Sequence, residues 1–485
     1  MPLTCTMDHM EVKDQWDATV LREIANQAFS RASGAPLREH NHVRILKDAQ
    51  ENYPAWLEAI GSARRSIHFE MYILHEDEQG RLFADALIER ARRGVHIRLL
   101  YDWMGGFGNA SRRFWNRLRD GGVDVRCFNP FRLDRPFGWV YRDHRKTIIV
   151  DHEVAFVTGL CVGRMWIGDP ARHLDPWRDT GLEVRGPAVA DVEDAFAEAW
   201  AAAGPPLRAR SVHASHDRPP TGDVALRVVA TIPSTAGLFR LDQLVAALAT
   251  HRLWLTDAYY GGTTPYVQAL RAAARDGVDV RLLVPGGSDV PVVRTFSRAG
   301  YRPLLEAGVR LFEWNGSMLH AKTAVADGEW ARVGSTNLNI ASWLGNRELD
   351  VIIENGRVAH QMEEMFLADL ANATEVVLNV RNRVRAPGAP RQRRRIKGSG
   401  GRIVAGAVRI SNTVTAAIAN RRVLEPIEAH IALAAGAILA GVSVLIAVFP
   451  RTFAYPVAIM AAWISAALVW RAVLLYRSRK RRSQS

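Results

Sequence analysis

His320 and Lys322 stand two residues apart in the octet His320-Ala-Lys-Thr-Ala-Val-Ala-Asp327, and Gly334-Ser335-Thr-Asn337 follows shortly after. Alternate residues of a strand share a face, so the imidazole and the ammonium point into one site. Ala324 and Val325 carry the strand on to Asp327, and Gly334-Ser335 reads as a tight, donor-rich turn. One nucleophile or acid, one cation and two neutral donors together suit a phosphate group. Ser335 and Asn337 are the neutral candidates.

The spacing recurs. His144-Arg-Lys146-Thr-Ile-Ile-Val-Asp151 repeats His-x-Lys-x-x-x-x-Asp, 176 positions before the other octet (320 − 144). Two copies inside a longer repeat are a far more specific signal than one. The paired octets resemble the phospholipase D superfamily, and their flanks resemble bacterial cardiolipin synthases, over roughly residues 40–380.

Two histidines allow transfer of a phosphodiester to split into two steps. One attacks phosphorus, and the other protonates the leaving alcohol and then deprotonates the incoming water or alcohol. Lys146 and Lys322 would hold the non-bridging oxygens, aided by Ser335 and Asn337. The resemblance implies the same scheme with His144 as nucleophile; the residues alone leave the order open. It also implies that Glu348, in Asn346-Arg-Glu348-Leu-Asp350, orients the second histidine, with Asp179 in the comparable place of the first half. Asp151 and Asp327 complete the octets, but at strand ends they are expected to fix backbone rather than transfer protons. The first half departs from the pattern: Thr158-Gly159-Leu-Cys161 puts a cysteine, a poor donor, at the Asn337 position. No HExxH, carboxylate cluster or Cys/His framework is present, and a lysine inside each octet would repel a divalent ion; neither metal nor other cofactor is expected.

Residues from about 41 onward alternate strand and helix. Ser66–Leu74 alternates like a strand, Gly80 opens an amphipathic helix that Gly94 ends, and Val95–Leu100 is the next strand. Ala86–Leu100 matches Ala269–Leu283 without a gap. Two halves on one plan imply an α/β molecule of two pseudo-two-fold related sandwich halves, the fold of the resembling family, with the site where they meet. The expected divisions are a lead-in at 1–40, halves at 41–204 and 221–380, and a linker at 205–220. Phe137, Trp139, Trp166, Trp177, Trp314 and Trp343 surround the octets as candidate walls of an access groove, or as ordinary core.

At +13 the chain favours an acidic partner, and residues 376–424 hold twelve Lys/Arg and no acid. Residues 381–401 read as a basic flexible linker, 402–424 as a basic amphipathic helix lying on a membrane, and 429–476 as two transmembrane helices. Ile431–Phe449 is nineteen residues without a charge, and Phe453–Trp470 is a second uncharged run. Arginines and lysines flank both, which places the catalytic region on the cytosolic side of the inner membrane. Three unpaired cysteines read as reduced thiols, and the first thirty residues lack a signal peptide.

A membrane-bound phosphatidyltransferase joining two phosphatidylglycerols into cardiolipin, with no specific nucleic acid as partner, fits these features best. A lipid-hydrolysing phospholipase D uses the same residues with water as acceptor. A nuclease-type phosphodiesterase would use the basic linker, but spanning helices place the site beside lipid.

Overall fold

The computed structural model describes residues 25–131, 141–207, 218–287, 289, 297–378 and 421–424, together with scattered positions between 440 and 470. In the first half the strands are β1 (Arg38–Lys47), β2 (Ser66–Met71), β3 (His96–Asp102), β4 (Asp124–Phe128), β5 (Lys146–Val150), β6 (Val154–Thr158) and β7 (Thr180–Arg185). The second half supplies β8 (Val224–Thr231), β9 (Arg252–Thr256), β10 (Asp279–Pro285), β11 (Arg310–Trp314), β12 (Thr323–Ala326), β13 (Trp330–Gly334), β14 (Glu348–Glu354) and β15 (Ala373–Leu378).

Hydrogen bonding runs β1-β7-β6-β5-β2-β3-β4 in one half and β8-β14-β13-β12-β9-β10-β11-β15 in the other. The two orders correspond strand for strand up to β15. Antiparallel pairing of β1 with β8 joins them into one mixed sheet. This is the two-half α/β architecture expected from the repeat.

Helices follow the same duplication: α1 (Asp48–Ser62), α2 (Glu78–Arg92), α3 (Arg112–Asp120) and α4 (Val189–Ala202), then α5 (Gly237–Leu248), α6 (Thr264–Arg275), α7 (Tyr301–Ala307) and α8 (Gly356–Leu370). Helix α2 starts where Asp77 accepts the Gly80 N–H, an N-cap that satisfies one otherwise unpaired donor. Each half has its own outer core, built on Trp56, Phe83 and Phe114 in the first and on Leu241, Tyr266 and Leu304 in the second. A third core crosses between the halves, with Phe196 and Trp200 of α4 and Phe366 of α8 among side chains from both sheets. The octet strands sit inside this packing: β5, β6, β12 and β13 are buried along their whole length.

Arg421–Leu424, expected as the end of an amphipathic helix, instead forms a strand parallel to β15. The open edge of β15 supplies the backbone partners that an isolated helix end lacks. The remainder of that helix, the 381–401 linker and most of 429–476 lie outside the described residues. No helix among the described residues is long and apolar enough to cross a membrane.

Candidate active site

The two octets enter the sheet in the same way. Strand β5 begins at Lys146 and β12 just after Lys322, so each histidine and lysine stands at the strand's entrance, with the aspartate at its far end. Asp151 and Asp327 occupy the turns into β6 and β13 with φ of 53° and 51°. Asx residues tolerate this left-handed region better than most. Asp151 accepts the N–H groups of Arg64, Arg65 and Ser66 at 2.6–2.8 Å, and Asp327 accepts those of Thr250, His251 and Arg252 at 2.7–2.8 Å. Both carboxylates therefore fix backbone, as their strand-end position implied.

The orienting carboxylates are crossed between the halves. His144 Nδ1–H donates to Glu348 Oε2 at 2.8 Å, and His320 Nδ1–H donates to Asp179 Oδ2 at 2.7 Å. Assigning Glu348 to the second histidine and Asp179 to the first is thus corrected: each carboxylate serves the histidine of the other half. Backbone pairing is the reason. The His144 N–H donates to the Arg347 carbonyl (2.9 Å), and the His320 N–H to the Arg178 carbonyl (2.7 Å). Short parallel bridges at Asp143–Arg347 and Arg178–Leu319 lay each histidine beside the residue preceding the opposite carboxylate. With Nδ1 engaged, Nε2 is the ring atom left for chemistry.

Arg178 is the positioning residue that sequence reasoning missed. Its buried guanidinium binds Asp369 of α8 at 2.8 Å and Asp48 at the start of α1 at 3.1 Å, anchoring the segment that carries Asp179. An arginine in Pro176-Trp-Arg-Asp carries no local sign of this role, because both partners are remote in sequence. Arg347 is held likewise by Glu198 of α4 at 2.8 Å.

Lys322 Nζ lies 2.9 and 3.0 Å from the two ring nitrogens of His320 and donates to the His320 carbonyl. Lys146 donates to the His144 carbonyl, and its ammonium lies 5.1 Å from the Tyr72 ring centre. Burial and then Lys322 push the His320 pKa down to about 3, while Asp179 pulls the other way. Burial also lowers His144, with Glu348 opposing and both lysines adding. Lys322 falls to about 8, chiefly through burial. Glu348 and Asp179 stay below the usual carboxylate range; burial raises them, but their histidines and the lysines outweigh it. Lys322 acts on His144 and Lys146 on His320, so the two octets share one electrostatic site.

Ser335 does not face this site as a free donor. Its hydroxyl donates to Glu348 Oε2 at 2.6 Å and accepts the Leu349 N–H, which places it behind Glu348. Asn337 is buried with its Oδ1 unpartnered among the described residues. Cys161 is fully buried within reach of both lysines, and burial raises its thiol pKa, so it stands as a neutral thiol.

Aromatic rings wall the histidines. Trp166, Trp177 and Tyr259 have ring centres 5.6–5.9 Å from that of His320, and Tyr72 lies 4.8 Å from His144. The two tyrosines were not foreseen, since a Tyr after an apolar strand has no distinguishing signal. Trp343 is core, packed on Phe239 and Tyr266, and Phe137 and Trp139 lie outside the described residues. Among the described residues no group of three His, Cys, Asp or Glu is placed to hold a metal ion.

Residues 56–163 and 245–370 match the family model described as cardiolipin synthase, PLD-like domain. The chain is 34% identical over 387 residues to cardiolipin synthase A of Pseudomonas aeruginosa, covering 76% of each chain. It is 31% identical over 345 residues to the cardiolipin synthase of Alkalihalophilus pseudofirmus, covering 70% of this chain and 68% of that one. Among solved structures, phosphatidylserine synthase from Haemophilus influenzae superposes with a TM-score of 0.57 at 12% identity, over 72% of this chain and 91% of that one. That last likeness is one of fold.

Proposed function

The chain belongs to the cardiolipin synthase family of phospholipase D-like proteins, and on that footing we propose that it joins two phosphatidylglycerols into cardiolipin and releases glycerol. The observation that supports this most is the pair of histidines, each fixed through Nδ1 by a buried carboxylate of the opposite half, with a lysine beside each.

In the proposed reaction, His144 Nε2 attacks the phosphorus of one phosphatidylglycerol. The bond from phosphorus to the glycerol oxygen breaks, and His320 Nε2–H gives that oxygen its proton, leaving a phosphatidyl-histidine. His320 then takes the proton of a headgroup hydroxyl from the second phosphatidylglycerol. The resulting oxygen attacks phosphorus and restores the free imidazole. The lowered pKa of His144 keeps it neutral, as a nucleophile requires. His320 must hold a proton, and an arriving phosphodiester anion offsets the lysine charge that depresses it. Lys146 and Lys322 bind the non-bridging oxygens, with Asn337 alongside.

The apolar runs within 429–476 supply the membrane anchor in this reading, with the catalytic halves on the cytosolic side. Incubation of membranes holding the protein with labelled phosphatidylglycerol tests the reaction. Cardiolipin plus glycerol is the expected product; phosphatidic acid alone would make water the acceptor, and cleavage of oligonucleotides without lipid turnover would overturn the assignment.

A further inference from the structure

Resting on that reading, we propose that the catalytic halves themselves dock onto the bilayer through an apolar rim around the site mouth, separate from the C-terminal anchor. Among the described residues between 25 and 378, the exposed large hydrophobic side chains are Leu82, Phe107, Phe131, Tyr141, Leu174, Leu248, Ile340, Leu344 and Leu367. Leu82, Leu248 and Leu367 are scattered on α2, α5 and α8. The other six all lie in the connections at the end of the sheet where the octets begin, Ile340 and Leu344 on the single helical turn around Ala341–Gly345.

The topology fixes that placement. Phe107 and Phe131 follow β3 and β4, which run parallel to β2; β2 is antiparallel to β5, whose entrance carries His144. Tyr141 precedes His144 by three residues, and Leu174 lies in the connection leading to Asp179. Ile340 and Leu344 lie between Asn337 and Glu348. Both halves therefore contribute, and the rim brackets the mouth. Phe107 is 69% exposed and Ile340 60%, larger exposures than a soluble surface needs at such positions.

Two arguments make lipid the occupant. Trp103 packs tilted against both rings, with ring centres 5.3 Å from Phe107 and 6.0 Å from Phe131, so the two phenylalanines stand on an apolar footing at the interface level. Exposed Arg112 and Arg113 follow at the start of α3, giving the edge the positive charge that an anionic lipid surface attracts. A substrate whose acyl chains stay in the membrane must also reach His144 and His320 without crossing water.

Photochemistry tests the contact independently of turnover. Full-length protein with photoreactive benzoylphenylalanine in place of Phe107 is irradiated in phosphatidylglycerol-containing vesicles, beside a control with Leu82 replaced. A lipid adduct at position 107 and none at 82 is expected; no adduct, or a cross-link to a second copy of the chain, overturns the docking surface. Kinetics then separate the rim from the reaction. The triple variant Phe107→Asp, Ile340→Asp, Leu344→Asp should lose about a thousandfold on long-chain phosphatidylglycerol in vesicles, since each half-exposed side chain contributes about tenfold to partitioning. On short-chain phosphatidylglycerol dissolved as monomers it should keep its rate, as should Leu82→Asp and Leu367→Asp on both. Equal loss on both presentations, or none on vesicles, contradicts the proposal. Failure of the unsubstituted protein to form cardiolipin from either would refute the reaction while the adduct still decides the rim.

Discussion

Asp179→Asn isolates the crossed geometry. The change keeps shape but removes the charge that stands 2.7 Å from His320 Nδ1 in a fully buried pair. An asparagine can also offer its amide N–H to Nδ1, which moves the ring proton to the wrong nitrogen. Removing one partner of a buried ion pair costs ~3–5 kcal/mol, equivalent to a rate loss of about 10²–10⁴ at 1.36 kcal/mol per decade. If His320 is the acid and base, the loss depends on the leaving group. A p-nitrophenyl phosphodiester departs without a proton, so formation of the covalent intermediate by Asp179→Asn should return to within about tenfold of the parent. Glu348→Gln, which weakens the support of His144 at 2.8 Å, should stay slow with both leaving groups. Rapid-quench measurement of the first step on both substrates is the assay. An exchange of the two profiles would mean that each carboxylate serves its own half, and the crossed reasoning would be wrong.

Asp151→Ala should destabilise the protein by ~1–3 kcal/mol in thermal melts while leaving the turnover of the folded fraction unchanged, because it strips three backbone N–H groups of their acceptor; a large fall in turnover without a stability change would give Asp151 a chemical role. Excess chelator should leave the rate intact, and complete loss rescued by one divalent ion would remove the metal-free scheme. The His320 pKa falls from 6.5 to about 3 on folding, so its contribution to stability is full above pH 6.5 and declines as pH drops toward 3. At pH 5 the decline amounts to about 2 kcal/mol. The melting temperature of the parent should accordingly drop further than that of His320→Gln between pH 7.5 and pH 5; parallel curves would contradict the buried neutral imidazole.

What the sequence made legible is what local pattern encodes. His144 and His320 were found by spacing, and the two halves by the match of Ala86–Leu100 to Ala269–Leu283. The strand at Ser66, the helix opened near Gly80 and the strand after Gly94 all stand within two or three residues of their expected bounds. Glu348 and Asp179 were recognised as supports but attached to the wrong rings, because the attachment is made by the 143–347 and 178–319 bridges between remote segments. A Gly-Ser turn suggests a phosphate donor at Ser335, and nothing in it reveals that the hydroxyl bonds Glu348 thirteen residues on. The rings of Tyr72 and Tyr259 reach the histidines only through packing of the two halves.

Rapid quenching into detergent at alkaline pH, with phosphatidylglycerol labelled in its phosphate, tests the convergence of the two imidazoles on one phosphorus most directly. The label should ride on His144 as an acid-labile, alkali-stable adduct in the parent, vanish in His144→Ala, and form more than ~100-fold more slowly in His320→Ala. Turnover with no histidine adduct, or an adduct on a residue other than these two, would contradict it.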